Sequence, residues 1–422
     1  MAVRRLSAVD AQMHWMSAKI PNDQFLLYGF AGVPSDLEHA LATVRARAAS
    51  CPELRLRVRE RGLLTYPSWI AGEVGPDQVV PHEPTDRSWA GCLKAVAGLA
   101  EHQLDAGRMT WRLHVFTPVD GMPGAGAGTV AVLQATHALG DGIRSSALAA
   151  WLFGRVGEVP PVPAPPPFRG VALPWRGFLA SRAHRQLVRD TDAGLVPPQA
   201  DSRSVLHSNL RPDGVRSIRT LIRNRAQLRG PTVTVGVLAA VSTALAGHLR
   251  ELGDDPSTLG AEVPMAKAGV RQAHNHFGNV GVGLYPELDF GERADRIAAD
   301  LARRRRRAGH PAMLAASRAF AAVPAQLLRW GVGHFDPTLR SPTVTGNTVV
   351  SSVNRGPADL RFGELPVVLT AGNPGLSPMM GLTHGVHGIG DTIAISVHAA
   401  ESAIGDVDAY VERLERALGS AE

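Results

Sequence analysis

The residues of this chain best suited to chemistry are a histidine and an aspartate four positions apart, His137 and Asp141, followed by Gly142. The run Thr129–Leu133 before them has the β-branched and apolar content of a buried strand. An apolar pattern with helical spacing begins after Gly142. A histidine that leaves a strand into a tight turn can be held rigidly, with one ring nitrogen facing a cleft.

The chemistry available to His137 is that of a general base. Free imidazole has a pKa of about 6.5, so near neutral pH it can take a proton from a hydroxyl. A positioned base of this kind contributes a factor of about 10² to 10⁴ in rate. A histidine near Gly and Asp also occurs as a turn residue without chemistry, so the short motif by itself leaves both interpretations open.

A second His-x-x-x-Asp occurs at His387 and Asp391. Gly388 and Gly390 lie between two strand-like runs, which is typical of a tight hairpin. We therefore assign this copy to a turn and keep His137 as the candidate base.

The elements around these motifs predict an α/β fold. Strand and helix patterns alternate without a strict βαβ repeat, which favours two α/β sandwich domains over a Rossmann sheet. Prolines dominate Val159–Pro167, and such a run favours an extended connection. We predict an N-terminal domain at 1–158, an interdomain crossover at 159–204 and a C-terminal domain at 205–422.

Composition narrows the class of protein. The 422 residues are 45% hydrophobic and 19% charged, which indicates a globular protein. The formal net charge of +6 is carried almost wholly by arginine, without the aromatic-interleaved basic motif of a nucleic-acid binder, so no nucleic-acid partner is expected. The run Arg303–Arg307 would wrap around a helix and is predicted to be a solvated helix end.

Compartment and metal content are also constrained. Cys51 and Cys92 lack metal-ligand spacing and fit a reducing compartment, and no metal site is predicted. The start of the chain has no apolar signal-peptide region, and Thr232–Gly247 falls short of a spanning helix and is predicted to be a buried core helix. We expect a cytoplasmic protein.

Four segments together resemble the wax ester synthase and diacylglycerol acyltransferase family, within the chloramphenicol-acetyltransferase-like group that includes condensation domains. Thr136–Gly142 is similar to the HHxxxDG motif of that family, and the order and separation of the four segments make the resemblance fairly specific. The other three segments are Arg5–Ala11 together with His14–Met16, then Phe277–Asn279, and finally Val350–Pro357.

The resemblance implies two chloramphenicol-acetyltransferase-like domains packed around a central tunnel, with His137 in the middle. In this family the second histidine of the motif deprotonates an alcohol, which attacks the thioester carbon of an acyl-CoA, and then protonates the departing thiolate. The implied activity is an O-acyltransferase that makes a wax ester, a triacylglycerol or an ester on a specialised lipid or metabolite hydroxyl. Acyl-CoA would be a co-substrate, and no permanently bound cofactor is expected.

The resemblance also assigns supporting residues. Donors to the tetrahedral oxyanion are expected at Asn279 and at Ser351 or Ser352, where loss of one donor typically costs about 10² to 10³ in rate. Asp141 is expected to be structural and to pair with a cation of the second domain, with Lys267 as first choice and Arg271 as second.

The chain departs from the family at two places. Thr136 replaces the first histidine of the motif, at a position where a hydroxyl can still form a local hydrogen bond. Thr234 and Val235 stand where the family tends to carry an Asn-Asp pair, which leaves the acceptor open.

Three alternatives remain from the sequence. The acyl donor is either acyl-CoA or an acyl carrier protein. The protein is either an enzyme or a non-catalytic lipid-binding or partner-binding relative. Peripheral contact with a membrane or lipid droplet is compatible with either activity.

Overall fold

A computed structural model describes residues 4–155, 157, 159–165 and 172–419. The predicted boundary at residue 158 and residues 166–167 of the proline-rich run lie outside the described residues. The helices are α1 Ala8–Met16, α2 Leu37–Ser50, α3 Trp89–Leu99, α4 Gly142–Leu152, α5 Ala172–Asp192, α6 Val233–Glu251, α7 Phe290–Ala308, α8 Pro311–Phe320, α9 Ala325–Gly333, α10 Glu401–Ile404 and α11 Val407–Gly419. The strands are β1 Arg4–Arg5, β2 Gln24–Ala31, β3 Leu56–Arg59, β4 Ser68–Ala71, β5 Val79–His82, β6 Trp111–Met122, β7 Gly126–Ala135, β8 Arg203–Ser204, β9 Arg216–Asn224, β10 Gly260–Ala266, β11 Phe277–Gly283, β12 Thr343–Val344, β13 Thr348–Asn354, β14 Arg361–Phe362, β15 Leu365–Gly372, β16 Leu382–Ile389 and β17 Thr392–Ala400.

The first domain is built on a six-stranded mixed sheet with the order β14-β15-β2-β7-β6-β5. Its central strand β7 is apolar on both faces, because each face packs against a different core. Ala131 and Leu133 join the core of the first domain, whereas Val130 and Val132 join a cluster shared with the second domain. Burial on both sides explains why this strand reads as a continuous apolar run rather than an alternating one.

The second domain is built on another six-stranded mixed sheet, in the order β11-β10-β13-β16-β17-β9. Helix α6 lies in its core, and Thr232 caps it by accepting a hydrogen bond from the Val235 backbone N–H at 3.2 Å. In the described part of the chain, α6 alone has the length and apolarity of a membrane-spanning helix. Most of it is buried inside the protein, as predicted for a core helix.

The second half of the chain also supplies two strands to the first sheet. β14 and β15 come from residues 361–372, yet they pair in the first sheet, where Thr370 of β15 lies opposite Tyr28 of β2. The segment 205–422 therefore supplies strands to both sheets. The chain passes between the two sheets three times: before β9, between β13 and β14, and between β15 and β16.

The crossover contains the helix α5, which packs along α8. The extended segment before it lies against the first domain, where Arg4 Nη1 donates to the Val162 carbonyl at 2.8 Å. The second His-x-x-x-Asp lies in the β16–β17 hairpin, as predicted, with Gly390 at φ +54° in the turn.

Candidate active site

His137 follows the end of β7 and precedes the helix α4. Asp141 is the N-cap of α4, since its Oδ1 accepts from the Arg144 backbone N–H at 3.1 Å. A Cβ at Gly142 would lie 3.4 Å from Val353 Cγ2 of the second domain, an ordinary van der Waals contact, so the start of α4 lies beside that domain. The strand, the turn and the cap together place His137 at the boundary between the two domains.

His137 borders a cavity of about 170 Å³ that opens to solvent. Thr136 and residues of α1, among them Met13 and His14, line the same cavity. His137 Nε2 forms no hydrogen bond within the described residues and is not among their enclosed, unpaired polar atoms. This nitrogen is therefore accessible to a ligand.

The other ring nitrogen of His137 is engaged. Nδ1 lies 2.9 Å from Asn275 Oδ1, and Asn275 Nδ2 donates to the His137 carbonyl at 2.8 Å. The Phe277 ring stacks on the imidazole with 5.7 Å between ring centroids and 22° between planes. Burial lowers the pKa of His137, so the ring is neutral at pH 7.

Asn275 is in turn held by Asp10, a buried residue of α1. Asp10 Oδ1 accepts from the Asn275 backbone N–H at 2.9 Å and from Asn275 Nδ2 at 3.0 Å. Asn275 was not predicted as a site residue. It lies two positions before Phe277 of a motif that the resemblance had marked, and Asp10 lies within another, but no sequence spacing joins the two.

The cation that pairs with Asp141 is Arg271. Arg271 Nη1 donates to Asp141 Oδ2 at 2.8 Å and Nη2 donates to Oδ1 at 3.2 Å, and the His276 backbone N–H adds a third donor at 2.9 Å. Lys267, the first choice from the sequence, forms no ion pair with Asp141. Lys267 and Arg271 both precede strand β11. Only the fold of the turn before that strand decides which of the two side chains reaches the Asp141 carboxylate.

The remaining predicted residues are spread around the cleft. Thr136 is buried, its backbone N–H donates to the Thr110 carbonyl at 2.9 Å, and its hydroxyl has no partner among the described residues. Asn279 is exposed on β11 and shares a strand face with Phe277, two residues earlier. In the described chain, neither Asn279 nor the two serines is hydrogen-bonded to His137.

A larger cavity, of about 420 Å³, opens beside the β10 and β13 strands of the second domain. Ser352 lines it, and its hydroxyl accepts from Thr234 Oγ1 at 2.8 Å. Ser351 points to the other face of β13, because successive side chains of a strand alternate. Arg305 of α7 lines the same cavity.

The arginine run on α7 is only partly the solvated end that was predicted. Arg304 donates to the carbonyls of Gly281 and Pro198 at 3.0 and 2.7 Å. Arg307 donates to the Pro197 carbonyl at 2.9 Å. These two side chains tie the crossover to the second domain, while Arg305 remains exposed at the cavity.

Comparison with known proteins defines the class of fold. No protein-family model and no curated protein matches the chain in sequence. Solved structures, in contrast, match over nearly the whole chain. A wax ester synthase/diacylglycerol acyltransferase from Marinobacter aquaeolei VT8 has 17% identity and a TM-score of 0.64, with 98% of each chain covered. The starter condensation domain of rhizomide synthetase RzmA, a mutant in complex with C8-CoA and Leu-SNAC, has 12% identity and a TM-score of 0.60, with 99% of this chain and 93% of that chain covered. The condensation domain of the Monacolin K polyketide synthase MokA has 17% identity and a TM-score of 0.54, with 99% and 97% covered.

These likenesses show that the chain has the two-domain fold shared by condensation domains and the wax ester synthase/diacylglycerol acyltransferase structure. The predicted fold class and the resemblance at the level of fold are thereby confirmed. At 12–17% identity the likeness shows the fold alone. The reaction is therefore inferred from the residues of the site.

Proposed function

We propose that the protein is an O-acyltransferase in which His137 acts as the general base. His137 Nε2 takes the proton of an alcohol hydroxyl, and the alcohol oxygen attacks the carbonyl carbon of an acyl thioester. The tetrahedral oxyanion then collapses, the carbon–sulfur bond breaks, and the proton on Nε2 passes to the departing thiolate. The observation that carries this proposal is an accessible, neutral imidazole nitrogen at a cavity of the first domain, on a histidine that also contacts Asn275 and Phe277 of the second domain.

The donor is proposed to be an acyl-CoA bound at the larger cavity. Its volume of about 420 Å³ suits an extended thioester arm, and Arg305 at its edge supplies a cation for a phosphate. The RzmA condensation domain has been crystallised with C8-CoA, which makes acyl-CoA a reasonable first donor to test on this fold. The smaller cavity beside His137 would then admit the alcohol.

The oxyanion is proposed to be stabilised by Asn279 and by the Ser352 hydroxyl. Ser352 Oγ already accepts a hydrogen bond from Thr234, so its own proton is free to be donated elsewhere. Ser351 is the other choice, since it shares a face of β13 with Val353, which lies close to Gly142. Thr136 supports the turn from its buried position. Asp141 and Gly142 hold the turn and the domain boundary, away from the reacting atoms.

Contact with a lipid surface is proposed through the outer face of α5. Trp175, Phe178 and Leu179 are 61%, 53% and 41% exposed and form a stripe at helical spacing. Arg182 and Arg185 follow on the exposed surface of the same helix. Exposed aromatic residues followed by arginines are typical of a helix that lies in the interface of an anionic membrane.

The first experiment measures thiol release from acyl-CoAs of short to long chain with pooled alcohols. We compare wild type with His137→Ala and with His39→Ala, an exposed histidine on α2. The expected result is alcohol-dependent release that falls about 10²-fold or more in His137→Ala and is unchanged in His39→Ala.

The outcomes separate the alternatives. Equal release in wild type and His137→Ala would refute the role of His137 as base. Release from an acylated carrier protein, with none from acyl-CoA, would identify a carrier-protein donor. No release from any thioester would favour a binding protein that has kept the fold.

A further inference from the structure

The orientation of the Asn275 side chain is fixed by its neighbours. The atom that lies 3.0 Å from Asp10 Oδ1 and 2.8 Å from the His137 carbonyl faces two groups that only accept hydrogen bonds. A carboxylate and a carbonyl oxygen both require a donor, so this atom is the amide nitrogen. The amide oxygen therefore faces His137 Nδ1 at 2.9 Å.

This orientation determines where His137 carries its proton. An amide oxygen cannot donate, so Nδ1 must be the donor in the contact with Asn275. Neutral imidazole has one N–H, and its other nitrogen then has a free lone pair. His137 Nε2, which is accessible at the cavity, is that nitrogen.

Asp10 is held as an acceptor by several donors. Its two oxygens receive the backbone N–H groups of His274 and Asn275 at 3.0 and 2.9 Å and the Ser7 hydroxyl at 2.8 Å, in addition to Asn275 Nδ2. Asp10 is only 1% exposed, and burial raises the pKa of its carboxyl above the ordinary value, although these donors oppose the rise. Oδ1 receives two N–H donors from Asn275, so it acts as an acceptor toward the amide nitrogen.

The segment that carries Asn275 is clamped on both sides. His274 stacks on Trp69 with 4.8 Å between ring centroids, and its Nδ1 donates to the Leu139 carbonyl at 2.9 Å. On the other side, the His276 backbone N–H donates to Asp141. Asn275 has no freedom to move away from His137 without breaking these contacts.

We infer that Asp10 and Asn275 are positioning residues that select the His137 tautomer with its proton on Nδ1, and so keep Nε2 available as the base. The selection runs from the Asp10 carboxylate to the Asn275 amide and from that amide to the imidazole. The tautomer itself is independent of any reaction, whereas its consequence for rate rests on the proposed function.

The test is ¹⁵N NMR of the protein labelled at histidine, with the His137 resonances identified by their absence in His137→Gln. Wild type is expected to show a protonated Nδ1 and an unprotonated Nε2 above the pKa of the ring. Asn275→Ala and Asp10→Asn are expected to show a population with the proton on Nε2. Asn347→Ala is the matched control, because Asn347 is equally buried and hydrogen-bonded but has Ser204, Asn209 and Gly260 as its partners.

Turnover gives the second readout. Loss of one hydrogen bond of ordinary strength corresponds to about a tenfold fall in kcat, with KM within about twofold, for Asn275→Ala. A wild-type ring protonated on Nε2, or an unchanged tautomer in both Asn275→Ala and Asp10→Asn, would overturn the inference even if the enzyme is active. The expected NMR pattern in a protein without turnover would leave the inference standing and refute the proposed function alone.

Discussion

Replacement of Asp141 by alanine removes the carboxylate that joins the two domains beside His137. The side chains of Asp141 and Arg271 are only 6% and 13% exposed, and the carboxylate also receives the backbone N–H groups of His276 and Arg144. Breaking a buried ion pair by removal of one partner typically costs about 3–5 kcal/mol, because the other charge is left unpaired. We therefore expect the free energy of unfolding of Asp141→Ala to fall by at least about 3 kcal/mol.

The magnitude translates into a measurable shift. For a domain of this size a loss of about 3 kcal/mol lowers Tm by about 6–12 °C. Thermal unfolding followed by circular dichroism measures that shift. Urea unfolding of Asp141→Ala, Arg271→Met and the double variant completes a double-mutant cycle, in which we expect a coupling energy of about 2 kcal/mol. Arg271→Met in the Asp141→Ala background should restore part of the stability, because it removes the unpaired charge.

The chain offers a matched control at the surface. Arg219 Nε and Nη2 donate to the two oxygens of Asp408 at 2.6 and 2.9 Å, so this ion pair is also bidentate. Its side chains, however, are 38% and 64% exposed. Exposed pairs contribute about 0–1 kcal/mol, so Asp408→Ala should change stability by no more than that. If Asp141→Ala costs as little as Asp408→Ala, the inference that the buried ion pair holds the turn beside His137 is refuted.

Two further predictions concern pH and the lipid surface. Burial lowers the pKa of His137, and the base acts in its deprotonated form, so the midpoint at which kcat/KM falls on acidification should lie below the ordinary imidazole pKa of about 6.5. A pH–rate profile with its midpoint above that value would contradict the burial of the base. For the α5 surface, co-sedimentation with vesicles of phosphatidylcholine and phosphatidylglycerol should exceed that with phosphatidylcholine alone, and the double variant Trp175→Ser with Phe178→Ser should lower it several-fold. Trp330→Ser, at a tryptophan that is 64% exposed on α9, is the control, and an equal loss there would argue against α5 as the contact surface.

Local features of the site could be predicted because their contacts are close in sequence. Ser7 caps α1 by accepting from the Asp10 backbone N–H at 3.1 Å, three residues on, and Asp141 caps α4 in the same way. The β7 strand, His137 and α4 follow one another directly, so strand content and cap residues were enough to place the histidine in a turn. The hairpin at Gly390 was equally local.

The partners of these residues could not be predicted, because they come from the second domain. Arg271 and Lys267 are four residues apart and carry the same charge, so no rule of spacing distinguishes them as partners of Asp141. The topology of the first sheet was also beyond local pattern, since β15 pairs with β2 across more than 330 residues of chain. Strand content shows that a segment forms a strand, but not which sheet receives it.

The sequence by itself determined the fold class and the position of His137 at the end of a strand, because periodicity and caps are properties of neighbouring residues. Asp10 and Asn275 have 264 residues between them, and only the tertiary structure decided that they meet beside that histidine. Their hydrogen bonds form between backbone and side-chain groups that become adjacent when the domains pack, and burial then gives those bonds the strength to fix one orientation of the amide.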